Sequence, residues 1–175
     1  GDTPLEQEAI YFLDFNPAAF KGEQYPLLSP LPEDTKRWQK STTFQQSRPL
    51  VDEYFGEDVR TAQLYAFPLR SEEEEQVDEN EFAQFLPAFT NLLQSLRPVR
   101  LVSYSTRLCE LLLKYGKLEQ VQREQIESGK RMFPVVRALW RVGSRIVPIA
   151  FLPSLHVKID KDARRLAWAW ALPPA

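Results

Sequence analysis

Residues 9–15, Ala-Ile-Tyr-Phe-Leu-Asp-Phe, form an aromatic-rich apolar run stopped by Asn16-Pro17, which predicts a buried strand. Pro17, Pro26, Pro30 and Pro32 follow, so 17–34 reads as an ordered loop. Residues 44–56 predict a helix with Ser47 as cap, Pro49 in the first turn and Gly56 at its end. Residues 60–67 read as a second strand, and 99–105 as a third. Between them, Phe82, Phe85, Leu86, Phe89, Leu92, Leu93 and Leu96 recur at three and four residues, the mark of an amphipathic helix over 81–96. Leu108, Leu111, Leu112 and Tyr115 predict a longer helix over 106–127, interrupted at Gly116, and 134–142 reads as a short helix with Pro134 in its first turn. A fourth strand is expected at 145–151, where Pro148 favours an edge or a bulge. At the C-terminus, Leu166, Trp168, Trp170 and Leu172 alternate with alanines. That period of two predicts a β-hairpin over about 155–172, against a helix capped by Asp162 as the competing pattern.

Strands alternating with helical segments predict an α/β fold: a three-layer α/β/α-like sandwich around a short, partly parallel sheet, with the C-terminal hairpin added. The length of 175 residues suits one domain, and the four Trp, six Tyr and eleven Phe supply a sizeable core. The run Ser71 to Glu81, with Glu72-Glu73-Glu74-Glu75, repels itself and reads as a mobile acidic loop without the ligand spacing of a calcium site.

Charge changes the picture more than composition does. Residues 1–90 hold seven Lys/Arg against eighteen Asp/Glu, and residues 91–175 hold fifteen against six. The C-terminal half is therefore basic, which either suits an anionic partner such as nucleic acid or lets the two halves neutralise each other or solvate separate faces of the fold. The single cysteine, Cys109, lies in an apolar helical pattern and reads as a small buried hydrophobe. No disulfide, no apolar run long enough for a membrane span and no secretory h-region are visible, so the cytoplasm is the expected compartment.

Candidate chemistry is sparse. With six glycines there is no phosphate-cradling motif, and no cofactor or metal is expected. His156 is the only histidine, so any neutral-pH general base of that type must be it, with Ser154 two residues away. Asp14, inside an apolar strand, is the carboxylate whose position most needs a reason, either as a catalytic group or as a brace for the Asn16-Pro17 turn.

Asp14-Phe15-Asn16-Pro17-Ala18, at the end of the first strand, resembles the first motif of the uracil-DNA glycosylase superfamily. Leu152-Pro153-Ser154-Leu155, after the last main strand, resembles its second motif. The resemblance implies a fold that flips a base into a pocket, with Asn16 positioning water, Phe20, Tyr25 or Phe44 stacking on the base, and Ser154 near a phosphate. Leu152 stands where the family carries the histidine that steadies the leaving base, and Asp14 and Ala18 stand where it carries glycines.

The expected function is a non-catalytic binding or accessory domain in a protein or nucleoprotein complex, more readily than an enzyme. Arg137, Trp140 and Arg141, on one face of the helix expected at 134–142 and close to Arg145, are the candidate contact patch for a protein partner or a nucleic-acid backbone. The rival is a base-excision enzyme built on Asn16, Ser154 and His156.

Overall fold

A computed structural model describes residues 7–15, 42–67 and 76–172. The loop expected at 17–34 lies outside these, as do Asn16, Phe20, Tyr25 and residues 71–75 of the acidic run. The strands are β1 (Ile10–Asp14), β2 (Thr61–Tyr65), β3 (Arg100–Ser103), β4 (Leu118–Ser128), β5 (Arg131–Val142) and β6 (Arg145–Phe151). The helices are α1 (Thr42–Phe55), α2 (Glu79–Leu96), α3 (Thr106–Tyr115) and α4 (Lys161–Ala171).

The strands make one mixed sheet in the order β2-β1-β3-β6-β5-β4. The pairs β1–β2, β1–β3 and β3–β6 are parallel, while β4–β5 and β5–β6 are antiparallel. The expected α/β class and partly parallel sheet are both present.

A parallel strand buried on both faces needs apolar residues at every position, and β1 shows it. Tyr11 and Leu13 pack on the side of α2 and α3, with Phe82, Phe89, Leu93, Leu108 and Leu112. Ile10 and Phe12 pack on the other side, with Leu50 and Val51 of α1 and Ala167, Trp168 and Ala171 of α4. The sheet is thus the middle of three layers.

Several expectations change. Helix α1 begins at Thr42, so Ser47 is not its cap but a buried mid-helix residue, and Pro49 lies in the helix interior rather than its first turn. Gly56 does end it, at φ +98°. The last part of the acidic run is helical. Asp78 caps α2 by accepting from the Asn80 and Glu81 amides, and Glu79 and Glu81 sit at the positive end of the helix dipole.

The long helix expected over 106–127 stops at Tyr115, and its second half is β4. The helix expected at 134–142 is β5. Pro134 pairs with Gln125 of β4, in a stretch where β5 has no neighbour on its β6 side, so its missing N–H costs no bond there. Pro148 sits in an interior strand, but just before the β3–β6 ladder begins at Leu101 and Ile149. The C-terminal hairpin is absent. Residues 161–171 are α4, entered at Asp160 rather than Asp162.

Candidate functional site

In a sheet that runs β2-β1-β3-β6-β5-β4, the connection out of β1 goes to one side, to β2, and the connection out of β3 goes to the other, to β4. The crevice outside the carboxyl ends of two such strands is where open α/β sheets usually hold ligands. A crevice of about 380 Å³ opens there, lined by Asp14, Thr43, Tyr104, Ser105, Thr106, Arg107, Ser154, Leu155 and His156. The volume falls in the range of small-ligand sites.

Each wall is set by a strand end. Asp14 is the last residue of β1, and the buried Gln63 of β2 donates its side-chain amide to Asp14 Oδ2. Ser103 Oγ, at the end of β3, donates to the Leu13 carbonyl (2.7 Å) and accepts from the Ser105 amide (3.1 Å). This ties the end of β1 to the turn that enters α3. Ser105 then caps α3 by accepting from the Leu108 amide at 3.1 Å. The third wall follows β6, where Ser154 Oγ accepts from the His156 amide at 3.3 Å.

Beside Asp14, just past the end of the neighbouring strand β3, stands the entry to α3. Amides at a helix start favour an anion, and Arg107 adds a positive charge. Its Nε is buried without a hydrogen-bond partner, and its guanidinium approaches Glu110 only to 3.7 Å. Tyr104 lies between the walls, its hydroxyl turned inward to Ser47 Oγ at 2.7 Å. Burial pushes its phenol up to about 12 despite the Ser47 bond. Arg164 of α4 acts on the same ring and has a buried Nη1 that is also unpartnered. The crevice therefore offers a carboxylate acceptor on one side and a cationic, hydroxyl-rich turn on the other.

Among the expected site residues, Asp14, Ser154 and His156 come together here. Asn16, Phe20 and Tyr25 lie outside the described residues. Leu152 is buried with α4 and does not line the crevice. The Arg137–Trp140–Arg141 patch is not a patch. A strand sends successive side chains to opposite faces, so Trp140 is buried beside Phe89 of α2. Arg137 points the other way, donates to the Trp170 carbonyl (2.6 Å) and to Gln122 Oε1 (2.7 Å), and lies 4.4 Å over the Trp170 ring. It fastens the end of α4 to the sheet. Arg141 pairs with Glu119 at 3.4 Å. Arg145 opens β6, at the edge of the sheet opposite the crevice.

Residues 104–107 and Thr43 were not among the candidates. The signal for 104–107 was positional, a Ser-Thr pair directly after a strand, where site loops gather in such folds. Among the described residues no group of three or more His, Cys, Asp and Glu is placed to hold a metal ion, and no helix is long and apolar enough to cross a membrane. The chain matches no protein-family model and no curated protein.

Proposed function

We propose that the crevice binds one nucleotide of a nucleic-acid strand, and that the protein is a binding component of a nucleoprotein complex rather than a catalyst. The carrying observation is the division of the crevice into two chemistries. Arg107 and the start of α3 suit a phosphate, and Asp14 accepts a base N–H, with Tyr104 between them. A phosphate oxygen suits the Arg107 guanidinium, whose carboxylate neighbour Glu110 stays 3.7 Å away. Ser154, the residue that the glycosylase resemblance associates with a phosphate, lines the same space. The non-catalytic reading is supported by Leu152, which stands where that family has its histidine and has no hydrogen bond to offer a departing base.

Fluorescence anisotropy against a labelled single-stranded oligonucleotide and a deoxynucleoside monophosphate tests the reading. Arg107→Gln removes a charge-assisted hydrogen bond, normally about 1.5–3 kcal/mol, and is expected to weaken both ligands roughly 10- to 100-fold. Wild-type affinity of the variant for both ligands refutes the reading. Release of free base from uracil-containing DNA is expected to be nil, and measurable release favours the rival base-excision function instead.

A further inference from the structure

The β4–β5 hairpin stands on the same edge of the sheet as the crevice. β4 is antiparallel to β5 and β5 to β6, so β4 and β6 run the same way and end on the same edge. β5 meets β6 only from Val136, opposite Phe151, so Arg131 to Val135 pair with β4 alone. At roughly 3.4 Å per residue, this arm reaches about 17 Å past the last β5–β6 pair. It is tied down on one side. Ser128 Oγ accepts from the Asp160 amide (2.9 Å) and donates to Asp160 Oδ2 (3.1 Å). Asp160 closes the segment after β6 whose Ser154, Leu155 and His156 line the crevice. The arm and the crevice are thus neighbours across one short segment.

The tip is basic. It turns at Gly129, φ +62°, into Lys130 and Arg131, both exposed. Lys158 and Lys161 are exposed at the start of α4 beside it. None of these four cations has a carboxylate partner among the described residues. The nearby acids are Glu127, Asp160 and Asp162, and Asp160 is engaged with Ser128. Met132 adds an apolar side chain at the tip, 56% exposed. Cations without a carboxylate partner, of which Arg131 lies 5.3 Å over the Phe133 ring, beside an exposed thioether suit a strand of phosphates carrying bases with open faces.

We propose that the hairpin tip is a second nucleic-acid contact, in which Lys130 and Arg131 hold phosphates flanking the nucleotide in the crevice and Met132 packs on a base. This rests on the reading of the crevice given above, and extends it from a single nucleotide to a strand.

The test compares Lys130→Glu/Arg131→Glu, Met132→Ala and Arg107→Gln in the intact chain, each checked for an unchanged melting temperature. The probes are a single-stranded oligonucleotide and a deoxynucleoside monophosphate. With two phosphate contacts gone, the slope of log affinity against log salt for the oligonucleotide is expected to flatten by about 1.4, at roughly 0.7 per contact. Monophosphate binding by this variant stays at the wild-type level, and Met132→Ala loses affinity several-fold for the oligonucleotide only. An unchanged oligonucleotide affinity and slope in the tip variant overturns the proposal, and leaves the crevice reading standing if Arg107→Gln still loses both ligands. Unchanged monophosphate binding in Arg107→Gln sinks the crevice reading separately. A polyglutamate peptide that competes as well as the oligonucleotide, charge for charge, overturns the tip proposal in favour of an acidic protein partner.

Discussion

Tyr104 joins the crevice to α1, because it lines the crevice while its hydroxyl bonds Ser47 inside α1. Its phenol is pushed up to about 12 mainly by burial, above the ordinary value near 10. The folded state therefore holds the proton more tightly than the unfolded state does. Whatever stability this supplies is complete below about pH 10 and is lost as pH rises towards 12. Absorbance of phenolate near 295 nm should show one tyrosine titrating late, with the step missing in Tyr104→Phe. Ser47→Ala leaves the inward hydroxyl without its partner and is expected to cost about 1 kcal/mol by urea unfolding. A melting temperature equal to wild type would show that the bond carries no stability. Cys109 gives a companion test, since burial pushes its thiol up to about 11. At pH 8 the native protein should react with Ellman's reagent far more slowly than the urea-unfolded chain, and equal rates would contradict the packed α3 face.

The antiparallel elements were the hardest to read in the sequence, and the reasons are local. In β4 the apolar residues Leu118 and Val121 are three apart, which imitates a helix. The cause is a bulge between Glu119 and Gln122, with Gln120 at φ +50°, that inserts one residue and shifts the alternation. β5 alternates from Val136 to Val142, but Val135 breaks the alternation, and Arg137, Trp140 and Arg141 are spaced three and four apart, which imitates one helical face. A signal for both strands lay unread in their turns. Gly129-Lys130 and Gly143-Ser144 are two-residue Gly-X links, and positive φ falls only on the glycine of each, the pattern of a type II′ hairpin. In α4 the alternating Leu166 and Trp168 imitate a strand, yet Leu166 is 61% exposed and Trp168 is buried, which a shared strand face forbids. By contrast, β1, β2, β3, β6 and α2 were legible, because their apolar spacing is undisturbed and turn residues bound them. So were Asp14, Ser154 and His156 as candidates, but not their joining with Arg107, which only the parallel register creates. Alanine at the turns tests the hairpins. Gly129→Ala should cost about 1–2 kcal/mol through its positive φ. Gly143→Ala should cost about as much through its own positive φ, because the exposed Gln94 side chain that its new Cβ would meet can swing away. A helical 134–142 would make neither turn glycine necessary, and both variants would then unfold at the wild-type urea midpoint.

At the scale of the whole molecule, the division of charge along the chain becomes a division across the sheet. The acidic half supplies β2 and β1 at one side, and the basic half supplies β3, β6, β5 and β4. Among the described residues, three ion pairs join the halves: Glu8 with Arg97 at 2.5 Å, Glu79 with Lys114 at 2.8 Å and Glu53 with Arg165 at 3.5 Å. Hydrogen bonds from Arg97 and Lys114 hold the Glu8 and Glu79 carboxyls below the usual range. All three pairs are solvent-exposed, so they are screened and contribute little to folding. The basic side is different, because Lys130, Arg131, Lys158 and Lys161 have no carboxylate partner among the described residues, and a polyanion that bound them would release their counterions. Salt therefore separates the two roles. Raising it from about 0.05 M to about 1 M, where the Debye length shrinks to about 3 Å, should leave the melting temperature nearly unchanged. Oligonucleotide affinity should fall steeply over the same range. A melting temperature that drops in step with affinity would mean that salt loosens the fold itself, and the loss of binding would then say nothing about phosphate contacts. A stable fold with salt-sensitive binding is the result that assigns the unpaired cations of the carboxyl edge to an anionic partner rather than to holding the acidic half in place.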